Sequence, residues 1–146
     1  MIEAKNITLS YGNLQVLKGI DISIKKGELI SIVGASGAGK TTLLNILGTL
    51  EKPDTGSLII NNKNAHNLSD KKLSLLRNKE IGFIFQFHNL LPEFTALENV
   101  YLPSLIGKKD KKESVKKATK LLSLLKLENR LHHRPNELSG GEQQRV

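Results

Sequence analysis

The sequence predicts an α/β fold, with strands dominating the first half of the chain and helices the second. Apolar and polar residues alternate over 20–24, which is the period of a half-buried strand. The compact apolar run at 29–33 is typical of a strand buried on both faces. This run opens into a glycine-rich loop, after which the leucines and isoleucines of 41–50 follow a helical pattern. The sequence therefore predicts a strand, a glycine-rich loop and a helix in this order over 29–50.

Turn and cap signals place the next elements. A short strand is predicted at 57–60, after a turn rich in proline, aspartate and glycine. Ser69 or Asp70 can cap a helix that runs through Arg77. A second fully apolar run, at 81–85, predicts another buried strand.

Two helices follow in the second half. Thr95 and Glu98 have the spacing of a capping box, so a helix should begin near Ala96 and run toward Ile106, before Gly107 breaks it. A lysine-rich helix should then continue to about Leu127. The positions that recur at helical spacing predict its buried face: Val115, Ala118, Leu121, Leu122 and Leu125.

Composition limits the functional classes. The chain has 146 residues, no cysteine and a formal charge of +8. This length suits one domain, and a disulfide-stapled secreted fold is excluded because there are no thiols. The first residues lack the apolar segment of a signal peptide, and no apolar run approaches the ~20 residues that cross a bilayer. We therefore expect a cytoplasmic protein that reaches a membrane through a partner.

The basic surplus is concentrated in one segment. Its lysines are Lys108, Lys109, Lys111, Lys112, Lys116, Lys117 and Lys120. Because apolar residues share that segment at helical spacing, the lysines are interpreted as the solvated face of an amphipathic helix. Aromatic residues that could stack on single-stranded nucleic acid are scarce, so no nucleic-acid partner is expected.

The glycine-rich loop matches the phosphate-binding pattern G-x-x-x-x-G-K-[ST] at every fixed position. It consists of Gly34, Ala35, Ser36, Gly37, Ala38, Gly39, Lys40 and Thr41, followed by Thr42. Its glycines let backbone N–H groups turn toward phosphate oxygens, and the following helix directs its positive end at the same place. Lys40 should reach the β- and γ-phosphates of ATP, and the Thr41 hydroxyl should ligate Mg²⁺. Kinases, GTPases and motor ATPases share this loop, so the loop alone does not identify the class of nucleotide-binding protein.

A second motif reads Leu-Ser-Gly-Gly-Glu-Gln-Gln-Arg, at 138–145, and it helps to identify the class of protein. Ser139 and Glu142 have capping-box spacing, which predicts a helix start. Capping gives no reason for Gly140 and Gly141 in the first turn, where glycine costs stability. Glycines are useful there if a ligand approaches the backbone closely, and the N–H groups of a helix start suit a γ-phosphate.

With both motifs, the sequence resembles the ATP-binding subunits of ABC transporters over essentially its whole length. The resemblance implies a P-loop fold of the ABC type: a mixed sheet with an antiparallel part and a helical subdomain. It also implies a head-to-tail homodimer, in which Ser139, Gly140, Gly141 and Glu142 contact the ATP on the other subunit's P-loop. The implied activity is ATP hydrolysis that drives a membrane transporter.

Two further positions match this family. Tyr11 lies where the family places an aromatic residue that stacks on adenine. Gln86 lies where it has a glutamine that touches Mg²⁺ and senses the membrane subunits. The resemblance implies that the permease binds across 86–105. Four residues there are apolar enough to suit that contact, although about half of them could pack within their own subdomain: Leu90, Leu91, Pro92 and Phe94.

The segment 85–109 is most similar to the ATPases of lipoprotein-releasing systems, and macrolide-exporter and cell-division ATPases are the close alternatives. The implied place is the inner face of the inner membrane, beside integral permease subunits. A non-transport relative acting on nucleic acid or ribosomes is the other alternative. It is less favoured, because the interval from Lys40 to Ser139 has room for only one compact helical subdomain.

The predicted organisation is a nucleotide-binding core at 1–86, a helical subdomain at 87–138, and the second motif with the start of its helix at 139–146. The family's Asp-Glu strand and switch histidine have no candidate residues here, so the resemblance implies the N-terminal part of a longer subunit. We expect no normal ATP turnover from this polypeptide. We also expect the runs 29–33 and 81–85 to lack sheet neighbours, leaving a marginal or aggregation-prone fold.

Overall fold

The chain folds into two compact units, Met1–Arg77 and Asn78–Val146. A computed structural model describes residues 1–85 and 89–146. The strands found in these ranges lie in the first unit, and the second unit is built from helices and turns. This agrees with the predicted order of strands before helices. No helix in the described ranges has the length and apolar character that crossing a membrane would require.

The first unit contains a four-stranded antiparallel sheet. Its strands, in the spatial order β2-β1-β3-β4, are β1 (Ile2–Tyr11), β2 (Leu14–Ile24), β3 (Thr55–Ile60) and β4 (Lys63–Asn64). A tight turn at 12–13 joins β1 to β2, and Gly12 supplies the positive φ of 59° that such a hairpin turn needs. Ile20, Ile22 and Ile24 are half-buried, as their alternation predicts.

The first unit also contains α1 (Lys40–Leu47) and all but the last three residues of α2 (Asp70–Glu80). Their buried residues are Leu43, Ile46, Leu47, Leu73 and Leu76, all at helical spacing. Helix α1 ends three residues before the predicted Leu50, because Thr49 adopts the left-handed φ of 62° that terminates a helix. Helix α2 runs three residues beyond the predicted Arg77.

The second unit contains α3 (Ala96–Ile106), α4 (Lys111–Leu124) and α5 (Gly140–Arg145). The capping box at the start of α3 is confirmed. The Thr95 backbone N–H donates to Glu98 Oε2 at 2.8 Å, and the Glu98 N–H donates to Thr95 Oγ1 at 3.2 Å. The Thr95 hydroxyl also donates to Glu98 Oε2, at 2.8 Å. The two bonds that Thr95 donates stabilise the carboxylate and lower the pKa of Glu98.

Helices α3 and α4 pack against each other, and the chain after α4 is tied to the start of α3. The N–H groups of Ala96 and Leu97 donate to the carbonyl oxygens of His133 and Leu131, at 2.8 and 3.0 Å. Because the first N–H groups of a helix lack partners within it, these bonds also satisfy the start of α3. The segment that leads into α5 is therefore fixed within the second unit.

Two strand predictions are wrong for this structure. The runs 29–33 and 81–85 form no strand, and most of their apolar side chains are exposed: Leu29 is 100% exposed, Val33 85% and Ile84 101%. A strand buried on both faces needs hydrogen-bonded neighbours, and the described sheet provides them to neither run. Their apolar composition predicts burial correctly only when such neighbours are present.

The predicted buried face of α4 needs a second correction. The buried residues form one row along the helix, Ser114, Ala118 and Leu122, while Leu121 and Leu125 are each 45% exposed. Periodicity alone cannot decide which of two adjacent rows faces the neighbouring helix. Helix α4 also ends at Leu124, earlier than predicted. Its lysines are exposed, as expected of a solvated face.

Candidate nucleotide-binding site

The glycine-rich loop of the first unit depends on its glycines for its backbone path. Gly37 and Gly39 have φ values of 76° and 83°, in the left-handed region that residues with a β-carbon rarely adopt. A β-carbon at Gly39 would also lie 2.8 Å from Val16 Cγ1 and 3.0 Å from Leu17 Cδ2. Gly39 is therefore required both by its conformation and by its close approach to β2.

The loop delivers the chain into α1 without a side-chain cap. Gly39 is the N-cap residue, so no side-chain oxygen bonds the first N–H groups of the helix, and no acidic residue lies in the first turn. The first N–H groups of a helix carry partial positive charge and have no partner within the helix. The start of α1 is thus electrostatically suited to a phosphate group.

Lys40 folds its side chain back over this loop. Its ammonium group Nζ donates to the carbonyl oxygens of Gly34 at 2.9 Å and Ala35 at 2.6 Å. These bonds hold the positive charge at the loop, beside the open start of α1. Gly34 and Ala35 therefore contribute to the site through their carbonyl oxygens, which position Lys40.

A cavity of ≈ 330 Å³ lies at the start of α1. Its lining residues are Tyr11, Val16, Ser36, Gly37, Gly39, Lys40, Thr41 and Thr42. The structure thus brings Tyr11, at the end of β1, together with the loop that begins 23 positions later in the sequence. Its volume is within the range of small-molecule sites. Val16 was not predicted, since nothing in its local sequence distinguishes it from any other residue of a half-buried strand.

Tyr11 lies at the tip of the first hairpin and is 52% exposed. Its hydroxyl donates to the carboxylate of Glu51. This hydrogen bond, with partial burial as a smaller cause, raises the pKa of Tyr11 above its ordinary value. Sequence reasoning missed Glu51, because a contact between residues forty positions apart leaves no local signal.

The second motif begins α5 in the second unit, and its predicted capping box is confirmed. The Ser139 backbone N–H donates to Glu142 Oε2 at 2.7 Å, and the Glu142 N–H donates to Ser139 Oγ at 3.3 Å. Glu142 also accepts from Arg130 Nε at 2.9 Å. The Arg130 guanidinium, with the Ser139 hydrogen bonds, lowers the pKa of Glu142 to about 2. Arg130 was not predicted, since it lies outside the motif.

Packing does not explain the two glycines of this turn. Among the described atoms, nothing lies within 4 Å of a β-carbon placed at Gly140, and at Gly141 such an atom meets only the far end of Arg145, at 3.8 Å. Both glycines are exposed. A residue that the fold leaves free, and that costs helix stability, is typical of a surface that a ligand or partner approaches closely.

Gln86, the predicted sensor and metal ligand, lies outside the described residues. The apolar segment that follows it is largely on the surface: Leu91 is 42% exposed and Phe94 37%, and Pro92 is also exposed. Leu90 is half-buried. Packing within the subdomain's own core, the alternative considered for about half of these residues, therefore fits Leu90 better than it fits Leu91, Pro92 and Phe94.

The hairpin, the loop and α1 together define a P-loop nucleotide-binding protein. The ABC transporter family model matches residues 17–146. Over all 146 residues, the chain is 58% identical to the lipoprotein-releasing system ATP-binding protein LolD of Cytophaga hutchinsonii, covering 67% of that protein. It is also 58% identical to the LolD of Bacteroides fragilis, covering 68% of it. The chain therefore belongs to the ABC transporter family, as the motifs predicted.

Solved structures agree with this assignment. The dimeric post-hydrolysis state of the ATP-binding cassette MJ0796, bound to ADP and Pi, is 43% identical, with a TM-score of 0.89. That match covers 99% of this chain and 66% of the other. The predicted ABC-type fold is confirmed. The chain spans about two thirds of the length of the relatives and structures it matches.

Proposed function

We propose that this chain is the ATP-binding part of a subunit that powers the release of lipoproteins from the inner membrane toward the outer membrane. The observation that carries the proposal is the cavity at the uncapped start of α1, where Tyr11, Lys40 and Thr41 meet. We infer the kind of transporter from the relatives, because two of them at 58% identity are named as ATP-binding proteins of lipoprotein-releasing systems. Macrolide-exporter and cell-division ATPases are thereby less favoured.

The donor set of the cavity fits a nucleoside triphosphate. The N–H groups of the loop and of the first turn of α1 would bind phosphate oxygens, with no side chain of the helix competing for them. Lys40 would exchange its bonds to the Gly34 and Ala35 carbonyls for bonds to the β- and γ-phosphates. The Thr41 hydroxyl, together with Gln86, would hold Mg²⁺, which neutralises phosphate charge when bound.

Tyr11 would hold the adenine. Its hydrogen bond to Glu51 fixes the position of the ring at the rim of the cavity. An aromatic ring that is half exposed and restrained in this way provides a stacking surface at low conformational cost. Val16 adds an apolar contact at the same rim.

Ser139, Gly140 and Gly141 would cover the ATP on a second copy of the subunit. Their exposure and the open space around the glycines support this role. Two of the matched structures are dimers, one of them holding the products of hydrolysis. Closing of such a dimer around ATP, and its reopening after hydrolysis, would supply the mechanical work of transport.

The exposed apolar segment around Leu91, Pro92 and Phe94 would bind an integral-membrane permease. This assignment places the subunit at the inner face of the inner membrane, held there through residues 86–105. The surface is apolar enough to favour burial against a partner helix.

Replacing Lys40 by alanine tests the phosphate contacts. Hydrogen bonds to charged groups contribute about 1.5–3 kcal/mol, so ATP affinity should fall about 10- to 100-fold. Titration of the protein with a fluorescent ATP analogue measures this change. Lys26→Ala, at an exposed lysine that precedes the loop, is the matched control and should bind as the unmodified chain does. Equal affinity of the Lys40→Ala variant and the control would contradict the assignment.

Substitutions at Tyr11 test the adenine contact. Stacking on an aromatic ring contributes about 1–3 kcal/mol per base, so Tyr11→Ala should weaken ATP binding about tenfold. Tyr11→Phe keeps the ring and loses only the bond to Glu51, so its affinity should stay within a few-fold of the original. Inorganic triphosphate, which has no base, should bind both variants equally. A Tyr11→Ala variant that loses ATP and triphosphate affinity to the same extent would show that Tyr11 supports the loop instead.

A further inference from the structure

The end of α4 exposes a compact group of leucines. Leu124 is 70% exposed, and Leu121 and Leu125 are each 45% exposed. Leu121 and Leu124 lie three positions apart on the last turn of α4, and Leu125 follows directly as the C-cap residue, so the three leucines are neighbours. Single exposed leucines are ordinary on a protein surface, whereas neighbouring ones form a patch that favours contact with another apolar phase.

Lysines flank these leucines on the same side of the helix. Lys117 and Lys120 lie four positions before Leu121 and Leu124, that is, one turn earlier. Residues 108–126 contain eight lysines and only two carboxylates, Asp110 and Glu113, and all eight lysines are exposed. No ion pair found in the described ranges involves any of these lysines. Their charge is therefore available to an anionic partner.

We propose that Leu121, Leu124, Leu125, Lys117 and Lys120, here called the α4 patch, bind the surface of an anionic lipid bilayer. Leucines beside lysines on one helix can enter the boundary between headgroups and acyl chains while the ammonium groups stay at the anionic headgroups. Each lysine near such a surface contributes separately to binding. The charge of the patch is complementary to anionic phospholipids.

Other occupants fit the patch less well. Protein interfaces are depleted in lysine and use tryptophan, tyrosine and arginine as their main anchors, and the α4 patch has none of these. Sites for single-stranded nucleic acid use aromatic stacking, which leucine cannot supply. A lipid surface, by contrast, needs only diffuse positive charge and aliphatic side chains. The inference goes beyond the proposed function, since it gives the subunit a membrane contact of its own in addition to a permease.

Co-sedimentation of the full chain with lipid vesicles tests the inference. Binding should be strong to vesicles of equal parts phosphatidylcholine and phosphatidylglycerol and weak to vesicles of phosphatidylcholine alone. Added salt should reduce it, because screening weakens attraction to the surface. Lys117→Gln with Lys120→Gln should lower the partition coefficient about tenfold or more. Leu121→Ser with Leu124→Ser should lower it by a similar factor, through loss of buried apolar area.

Matched controls separate this inference from simpler explanations. Lys71→Gln with Lys72→Gln removes the same charge from exposed positions on α2 and should leave vesicle binding within about twofold. Lys40→Ala should bind vesicles normally, so failure of the nucleotide proposal would leave this result untouched. Circular dichroism checks that each variant is folded. Equal binding to neutral and anionic vesicles, or equal losses in the α4 and α2 variants, would overturn the proposal. Absence of vesicle binding would also overturn it, and would leave an acidic protein partner as the occupant to test.

Discussion

The P-loop of the first unit (34–41) and the turn of the second unit that contains Ser139, Gly140 and Gly141, here called the serine–glycine turn, both place glycines at the start of a helix. They do so for different reasons. In the P-loop, Gly37 and Gly39 have φ values of 76° and 83°, and Gly39 also lies against β2. In the turn, a β-carbon at Gly140 would meet no described atom within 4 Å, and one at Gly141 would meet only the far end of Arg145, at 3.8 Å. The first pair is therefore required by the fold, whereas the second pair is dispensable for it.

The two helix starts also differ in how their N–H groups are satisfied. Helix α1 has neither a side-chain cap nor an acidic residue in its first turn, so its positive end is open to an anion. At the start of α5, Ser139 and Glu142 form a capping box, and Glu142 stays ionised because its pKa is about 2. A helix start that already holds a carboxylate attracts a phosphate weakly. This difference supports the proposed roles, in which the P-loop holds the triphosphate and the turn covers it.

Gly39→Ala should produce the largest effect that this comparison predicts. The left-handed conformation costs a residue with a β-carbon about 1–2 kcal/mol, and crowding against Val16 and Leu17 adds about 1–3 kcal/mol. The free energy of unfolding in urea should therefore fall by about 2–5 kcal/mol, and ATP affinity should fall with it. A variant as stable as the original would show that β2 can move away, and that crowding against Val16 and Leu17 does not require a glycine at this position.

Much of the fold and of the candidate site could be predicted because the signals are local. The loop pattern that ends in Lys40 and the two capping boxes, at Thr95 and Ser139, each involve residues a few positions apart. Their geometry is set by backbone conformation and by hydrogen bonds within one turn. The structure confirms both caps and the start of α3 at Ala96.

The remaining features depend on contacts that are distant in sequence. Run 29–33 is apolar enough for a buried strand, but a strand also requires hydrogen-bonded neighbours. The expectation that these neighbours are missing comes from the family resemblance and not from the pattern of the run itself. Leu121 fits the apolar period of α4, yet only the packing of α3 decides which row is buried. The partners of Tyr11 and Glu142, namely Glu51 and Arg130, belong to no motif and become visible only in three dimensions.

Acid titration should reveal the charge at the start of α5. Because the folded pKa of Glu142 is about 2, below the ordinary value of 4.5, the ionised carboxylate stabilises the fold above pH 4.5, and this contribution is lost as the pH falls toward 2. Glu142→Gln keeps a side chain that can complete the capping box but removes the ion pair with Arg130. The variant should therefore have a lower melting temperature at pH 7 and approach the original near pH 2. A melting-temperature difference that does not change between pH 5 and pH 2 would contradict this origin of the stability.

Gly140→Ala should have the smallest effect, and it tests whether the serine–glycine turn can fold without its glycine. Alanine forms helix better than glycine by about 1 kcal/mol, and a β-carbon at this position meets no described atom within 4 Å. The free energy of unfolding should thus stay unchanged or rise by up to about 1 kcal/mol, the opposite direction from Gly39→Ala. ATP affinity of the single subunit should also be unaffected, since the cavity at α1 is built from other residues. Urea unfolding and the same nucleotide titration measure both quantities. Destabilisation comparable to that of Gly39→Ala would mean that the turn needs its glycine to fold, and its exposed backbone would then no longer indicate a surface kept open for the ATP of a second subunit.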